Sequence, residues 1–314
     1  MPTALPQLDR LFLTDSGLET DLIYNHGIDL PYFAAFTLAG TQDGCAALEA
    51  YYRRHLEIAR AAGTGFILET PTWRASADWG ERLGLDGVAL DTLVRQTAAL
   101  LHRLRSAYQS TALPIVISGC IGPRGDGYVP ASVTSIDAAQ AYHAVQIASF
   151  VAAGIDLLTA LTMTTVEEAV GILRAAAPYA VPVVISFTLE TDGRLPSGAT
   201  LGEAISAADA ATNGQAAYFM VNCAHPSHFE PAIDDGAPWL QRLRGLRANA
   251  SRCSHAELDA MTTLDAGDPA ALASDYAALR QRLPQLSVLG GCCGTDARHV
   301  AAIAAACAGP RERA

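Results

Sequence analysis

The feature that most constrains this chain is an alternation repeated eight times: a short apolar run, then an amphipathic or alanine-rich stretch of helical length. The apolar runs fall at residues 11–15, 65–69, 115–119, 156–161, 182–187, 217–223, 246–249 and 286–291. The helical stretches lie near 42–62, 86–109, 136–152, 166–177, 201–212, 230–244, 269–282 and 296–307. Strands that alternate with helices pair in parallel, because each connection must cross back over a sheet face. Eight such units without a linker predict an α/β fold, a single (β/α)8 barrel forming one domain over residues 1–314. A doubly wound open sheet is the competing arrangement. Helix starts are marked in the sequence. Thr165 with Glu168, Thr200 with Glu203, and Ser254 with Glu257 have capping-box spacing, and Asp268-Pro269 offers an N-cap followed by proline.

Composition works by exclusion. The net charge is −11, opposite in sign to what phosphate-backbone binding draws on, so no nucleic-acid partner is expected. All 21 basic residues are arginine. Without a lysine amine there is no Schiff-base aldolase, no lysine-anchored pyridoxal phosphate and no Walker-type phosphate loop. No apolar run reaches 18 residues and the first ten residues carry no apolar leader, so neither a membrane span nor secretion is expected. Seven cysteines, an odd number at irregular spacing, fit free thiols in a reducing cytoplasm.

A barrel gathers its chemistry at the C-terminal ends of its strands. Here the first run ends in Thr14-Asp15-Ser16-Gly17-Leu18-Glu19 and the second in Glu69-Thr70-Pro71-Thr72-Trp73. The sixth ends in Asn222-Cys223-Ala224-His225 and the eighth in Gly290-Gly291-Cys292-Cys293-Gly294-Thr295. The adjacent Cys292 and Cys293 can be packed core thiols, a strained redox pair or metal ligands. Flanking glycines allow close backbone approach, and the helix that follows favours thiolate over thiol. With Cys223 at the end of another strand, three thiols form a ligand set suited to Zn²⁺. Ligands drawn from distant strands fit a site with an open fourth position better than a closed structural one.

These residues resemble the zinc-dependent homocysteine S-methyltransferase family, which includes betaine– and S-methylmethionine–homocysteine methyltransferases. The most specific pieces are Asn222-Cys223 and Gly290-Gly291-Cys292-Cys293-Gly294-Thr295. Supporting ones are Asp15-Ser16-Gly17 (Asp-Gly-Gly in the family), Glu69-Thr70-x-Thr72 and a Gly-Pro-x-Gly loop at 122–125. The resemblance implies a (β/α)8 barrel with Zn²⁺ held by Cys223, Cys292 and Cys293. It also implies methyl transfer from a small sulfonium or quaternary ammonium donor to homocysteine or a related thiol, a methionine-forming reaction. A free thiol, with a pKa of about 8.5, is mostly protonated at neutral pH, and the metal would activate it. Two positions depart from the family. Leu161 stands where the family has a glutamate that helps hold the homocysteine amino group. Arg247-Ala248-Asn249-Ala250-Ser251 replaces a Tyr-Pro-Asn-like segment. Glu190, Asp192 or Glu69 is expected to supply the missing charge, unless the acceptor lacks an α-amino group.

Asp15 and Glu69 are expected to orient the acceptor, with Thr72, Arg124, Glu190 and Asn249 as further substrate contacts. Arg247 reads either as a fork for a carboxylate or as a surface or barrel-bottom residue. Trp73, Trp79, Tyr24 and Phe33 gather after the first two strands, as packing or as faces for an onium donor. His225 and His228 read as loop residues beside Cys223, His255 as part of a helix cap, His299 as a surface residue and Cys120 as a buried thiol. Two rival functions remain. One is a zinc hydrolase or lyase on the same barrel, using Glu190 or His225 as base. The other is a zinc or redox sensor in which Cys292 and Cys293 report oxidation.

Overall fold

Each of the eight apolar runs forms a strand: β1 Phe12–Leu13, β2 Gly65–Glu69, β3 Ile115–Ile121, β4 Leu157–Met163, β5 Val183–Phe187, β6 Ala216–Asn222, β7 Leu243–Ala248 and β8 Val288–Gly291. The structure, a computed structural model, describes residues 5–128, 135–233 and 236–309. All neighbouring strands pair in parallel in chain order, and β1 returns to β8 through Phe12↔Val288 and Leu13↔Leu289. The closed (β/α)8 barrel is therefore the observed fold, and the open-sheet alternative falls.

Two apolar layers hold it. Phe12, Ile67, Val116, Leu157, Val184, Tyr218, Met220 and Val288 form one cluster. Seven of the eight strands contribute to it and no helix does, as a filled barrel interior requires. Its members sit early or midway along their strands, so apolar packing leaves the C-terminal ends to polar groups. The larger cluster joins outward residues such as Leu13, Leu68 and Ile117 to helical ones such as Leu56, Leu101 and Ile147. Each fully buried side chain of this size contributes about 1.5–3 kcal/mol.

The helix Gln42–Ala62 shows how local signals place site residues. Thr41 caps its start by accepting from the Gly44 amide, and Gly63 at φ 69° ends it in the left-handed conformation. Leu48, Tyr51, Tyr52, His55 and Ala59 recur at helical spacing on its buried face. That register carries two tyrosine hydroxyls to the ends of β1 and β2. Full capping boxes form at Thr200–Glu203 and Ser254–Glu257, and Asp268 caps Ala270 and Ala271. At Thr165 only half the box forms. The Glu168 carboxylate is instead taken by the Arg124 amide (2.7 Å) and His143 (2.9 Å).

One expected element is absent. In place of a helix over 230–244, the described residues form a short helix Pro226–Phe229 and 3₁₀ turns Glu230–Ala232 and Pro238–Arg242, and β7 begins at Leu243. Residues 234 and 235 lie outside the described residues. Pro231 and Pro238 lack the amide hydrogens a continuous helix needs, and Gly236 at φ 97° is far from helical. His299 also departs from expectation. It is fully buried, completing the cap of helix Ala297–Cys307 and bonding the Ala266 carbonyl at 2.8 Å.

Candidate metal centre and active site

The site begins with a strained turn. At the end of β6 the backbone of Cys223 adopts φ 54°, uncommon for a residue with a side chain. Its carbonyl is held by the Asn249 amide at 3.1 Å and by His255 Nε2 at 2.6 Å. Asn222, one residue earlier, accepts from the Thr162 amide (2.8 Å) and Ser186 Oγ (2.7 Å). Across the barrel mouth, Cys292 and Cys293 follow β8. Close packing is built into this corner, because a Cβ at Gly17 would stand 2.4 Å from the Cys292 carbonyl oxygen.

These turns bring the sulfurs of Cys223, Cys292 and Cys293 within 4.8 Å of one another, the Cys223–Cys293 pair at 3.9 Å. Four ligands set tetrahedrally about Zn²⁺ with bonds of about 2.3 Å hold their sulfurs about 3.8 Å apart. The three thiols therefore fit a zinc-sized ion with little movement. Of the three thiols, Cys292 is the one whose surroundings favour the thiolate. Sulfur hydrogen bonds from Cys223 and Cys293 hold its pKa well below the usual thiol value, and the Arg247 charge adds to this. The Tyr128 hydroxyl reaches the same sulfurs, 3.6 Å from Cys293 and 3.8 Å from Cys223. Its ring stacks on His255 with centroids 4.0 Å apart.

Beside the sulfurs lies a closed ionic cluster. Arg247 is 5% exposed and donates to Asp15 Oδ1 at 2.6 Å, to Glu69, to the Gly291 carbonyl at 3.1 Å and to the Ser16 carbonyl at 3.2 Å. Burial opposes its charge, but Asp15 and Glu69 outweigh that and raise its pKa further. Asp15 also accepts from Tyr51 at 3.3 Å, and Ser16 bonds Tyr51 and His55. Arg247 is thus neither a surface nor a barrel-bottom residue.

A cavity of about 240 Å³ opens onto the sulfurs and is lined by Asp15, Glu69, Cys120, Leu161 and all three clustered cysteines. Four expected substrate contacts do not line it. Thr72 is buried against Thr70 and the Cys120 carbonyl, because its hydroxyl closes the turn after β2. Arg124 is half-exposed in the loop after β3, paired with Asp78 at 2.8 Å and stacked on Tyr142. Glu190 faces His255 at 3.3 Å, and Asn249 supports the Cys223 carbonyl. Asp192 accepts from the Arg194 amide in a turn and is also outside the lining.

Other lining residues were not singled out in the sequence. Tyr128 ends the glycine-rich loop after β3, and His255 does more than join a helix cap. Arg74 follows Trp73 by one position, and Glu19 closes the polar string after β1. Their common signal is position just past a strand end. Of the four aromatics, Tyr24, Phe33 and Trp73 line the cavity. The Trp73 and Trp79 rings each stack on the Arg74 guanidinium, 3.9 Å from either centroid.

A parallel eight-stranded barrel with three converging thiols at its mouth has a site that could hold a metal ion. Comparison with known proteins goes further. The family profile for homocysteine S-methyltransferase matches residues 12–307, so the chain belongs to that family and is a homocysteine-type methyltransferase. A homocysteine S-methyltransferase of Escherichia coli (strain K12) is 27% identical over 272 residues, covering 80% of this chain and 82% of that protein. Crystal structures of the homocysteine methyltransferase MmuM from Escherichia coli share the fold at 21% identity. The metallated form has a TM-score of 0.71 and covers 94% of this chain and 96% of its own. The oxidized form has a TM-score of 0.74 and covers 96% and 98%.

Proposed function

We propose that the protein moves a methyl group from a small sulfonium or quaternary ammonium donor to the thiol of homocysteine or a related acceptor. Zn²⁺ would be held by Cys223, Cys292 and Cys293. The observation that carries this reading is the approach of three sulfurs from two strand ends to within 4.8 Å, on the wall of a cavity large enough for a small acceptor. A metal held there would lower the pKa of an incoming thiol, so that its proton is lost to solvent and the sulfur is left nucleophilic.

The chain's own residues prepare that chemistry. Asn249 and His255 fix the carbonyl of the Cys223 turn, so the ligand sulfur has one orientation. Hydrogen bonds from Cys223 and Cys293 lower the pKa of Cys292, and the positive charge of Arg247 beside it adds to this. Asp15 and Glu69 hold Arg247 and also line the cavity, so orienting the acceptor stays part of the proposal. With both indoles stacked on Arg74, the half-exposed rings of Tyr24 and Phe33 on the cavity wall offer faces to an onium donor. A hydrolytic reading is weaker, because Glu190 and His225, the bases it needs, do not line the cavity.

The test is to incubate Zn²⁺-loaded protein with homocysteine and, in turn, S-methylmethionine, S-adenosylmethionine and betaine, and to assay methionine by mass spectrometry. Methionine from one donor, lost together with the metal in Cys292→Ser, is the expected result. Full turnover in a metal-free Cys292→Ser protein would sink the mechanism.

A further inference from the structure

Two ionisable side chains on the cavity wall form no close ion pair among the described residues. Arg74 is 6% exposed, and its guanidinium is fixed between the indoles of Trp73 and Trp79. Its one hydrogen bond runs from Nη1 to the Gly125 carbonyl at 3.0 Å, and Nε is buried without a partner. Among the described residues no carboxylate forms an ion pair with it. Burial lowers its pKa to about 10, which leaves it cationic at neutral pH. Glu19, partly buried on the same cavity, likewise forms no ion pair among the described residues. Asp126 first, and Glu19 more weakly, attract the guanidinium from a distance, and neither forms a close ion pair with it.

An unpaired charge removed from water is costly, and a fold tolerates one most readily where a ligand brings the counter-ion. A guanidinium held flat by stacking presents its edge for bidentate contact with a carboxylate. A nearby carboxylate suits an ammonium group. Both groups share their cavity with the three sulfurs. The complement of that wall is a zwitterion bearing a thiol. We propose that Arg74 and Glu19 are specificity-determining residues that bind the α-carboxylate and the α-ammonium group, respectively, of an amino-acid thiol acceptor. This rests on the thiol-acceptor reading above and assigns the residues that choose the acceptor. Tight binding then requires both end groups, and each residue answers for one of them.

The experiment titrates Zn²⁺-loaded protein by calorimetry with three thiols: L-homocysteine, 3-mercaptopropylamine, which lacks the carboxylate, and 4-mercaptobutanoate, which lacks the amine. The wild type is expected to bind homocysteine about 10- to 100-fold more tightly than either analogue. Arg74→Gln should weaken homocysteine by a similar factor and leave 3-mercaptopropylamine within about twofold. Glu19→Gln should do the converse, sparing 4-mercaptobutanoate. Arg74→Lys, which keeps the charge but not the fork, should fall between wild type and Gln. Zinc content and circular dichroism verify that each variant is folded. Equal weakening of all three thiols by Arg74→Gln would show a structural role and overturn the assignment. So would unchanged homocysteine affinity with a raised KM for the methyl donor, which would place the pair on the donor side. Failure of every thiol to bind the wild type would remove the thiol-acceptor reading itself, and this one with it.

Discussion

Two arginines face one cavity and are treated in opposite ways. Arg247, beside the sulfurs, is enclosed by Asp15, Glu69 and two carbonyls. Arg74, on the same wall, has two indole faces, one carbonyl and, among the described residues, no carboxylate in ion-pair contact. The contrast separates two kinds of work. Where every charge is matched within the fold, the group first maintains the electrostatics of the sulfur cluster. Where a buried charge is unmatched, its partner comes from outside. The same division runs through the carboxylates. Glu69 is engaged with Arg247 and Glu190 with His255, whereas Glu19 forms no ion pair among the described residues.

The largest expected effect breaks the matched side. Arg247→Leu leaves Asp15 and Glu69 buried without a counter-ion and should destabilise the protein by about 3–5 kcal/mol in urea unfolding. Arg74→Leu should change stability by no more than about 1 kcal/mol, since it loses stacking but also removes an unpaired charge. Equal losses would erase the distinction. Next, Cys292→Ser should lower turnover by about 100-fold or more and drop bound zinc below one equivalent by metal analysis. A ligand matters more than the groups that orient it, whose loss costs about 10- to 100-fold.

A smaller effect tests the unmatched side through pH. Burial raises the Glu19 carboxyl from 4.5 to about 7. Between those values the folded protein keeps a proton that the unfolded chain has released, so its stability falls as pH rises from about 4.5 to about 7 and then levels. Unfolding at pH 5 and pH 7.5 should differ by about 2 kcal/mol more in wild type than in Glu19→Gln. An identical pH dependence in both proteins would mean that Glu19 is already paired. The smallest effect concerns the turn. Asn249→Ala frees the Cys223 carbonyl and should weaken zinc about tenfold in a chelator competition, without abolishing it.

Much of this was legible in the residues. Eight alternations of apolar run and helical stretch imply the barrel, because periodicity is local and parallel closure is the simplest way to cover every apolar face. The three thiols were legible too, since strand-end positions in a barrel share one mouth whatever their separation along the chain. What could not be read was which polar residues would consume one another. Asn249 and Thr72 carry side chains of a substrate-binding kind, yet each hydrogen-bonds a backbone carbonyl at a turn. The break at 230–244 was readable in Pro231, Gly236 and Pro238, and the helical periodicity outweighed them.

The chain's own pattern, then, determines the barrel, its eight strand ends and the thiols placed on two of them, because apolar period and turn chemistry act over a few residues. Only the folded arrangement decides that Arg247 is ion-paired while, among the described residues, Arg74 and Glu19 are not. Ion pairing is settled by distances across the mouth, between side chains as far apart in sequence as Asp15 and Arg247. Such distances follow from strand tilt, loop path and burial together, and no local run of residues encodes them.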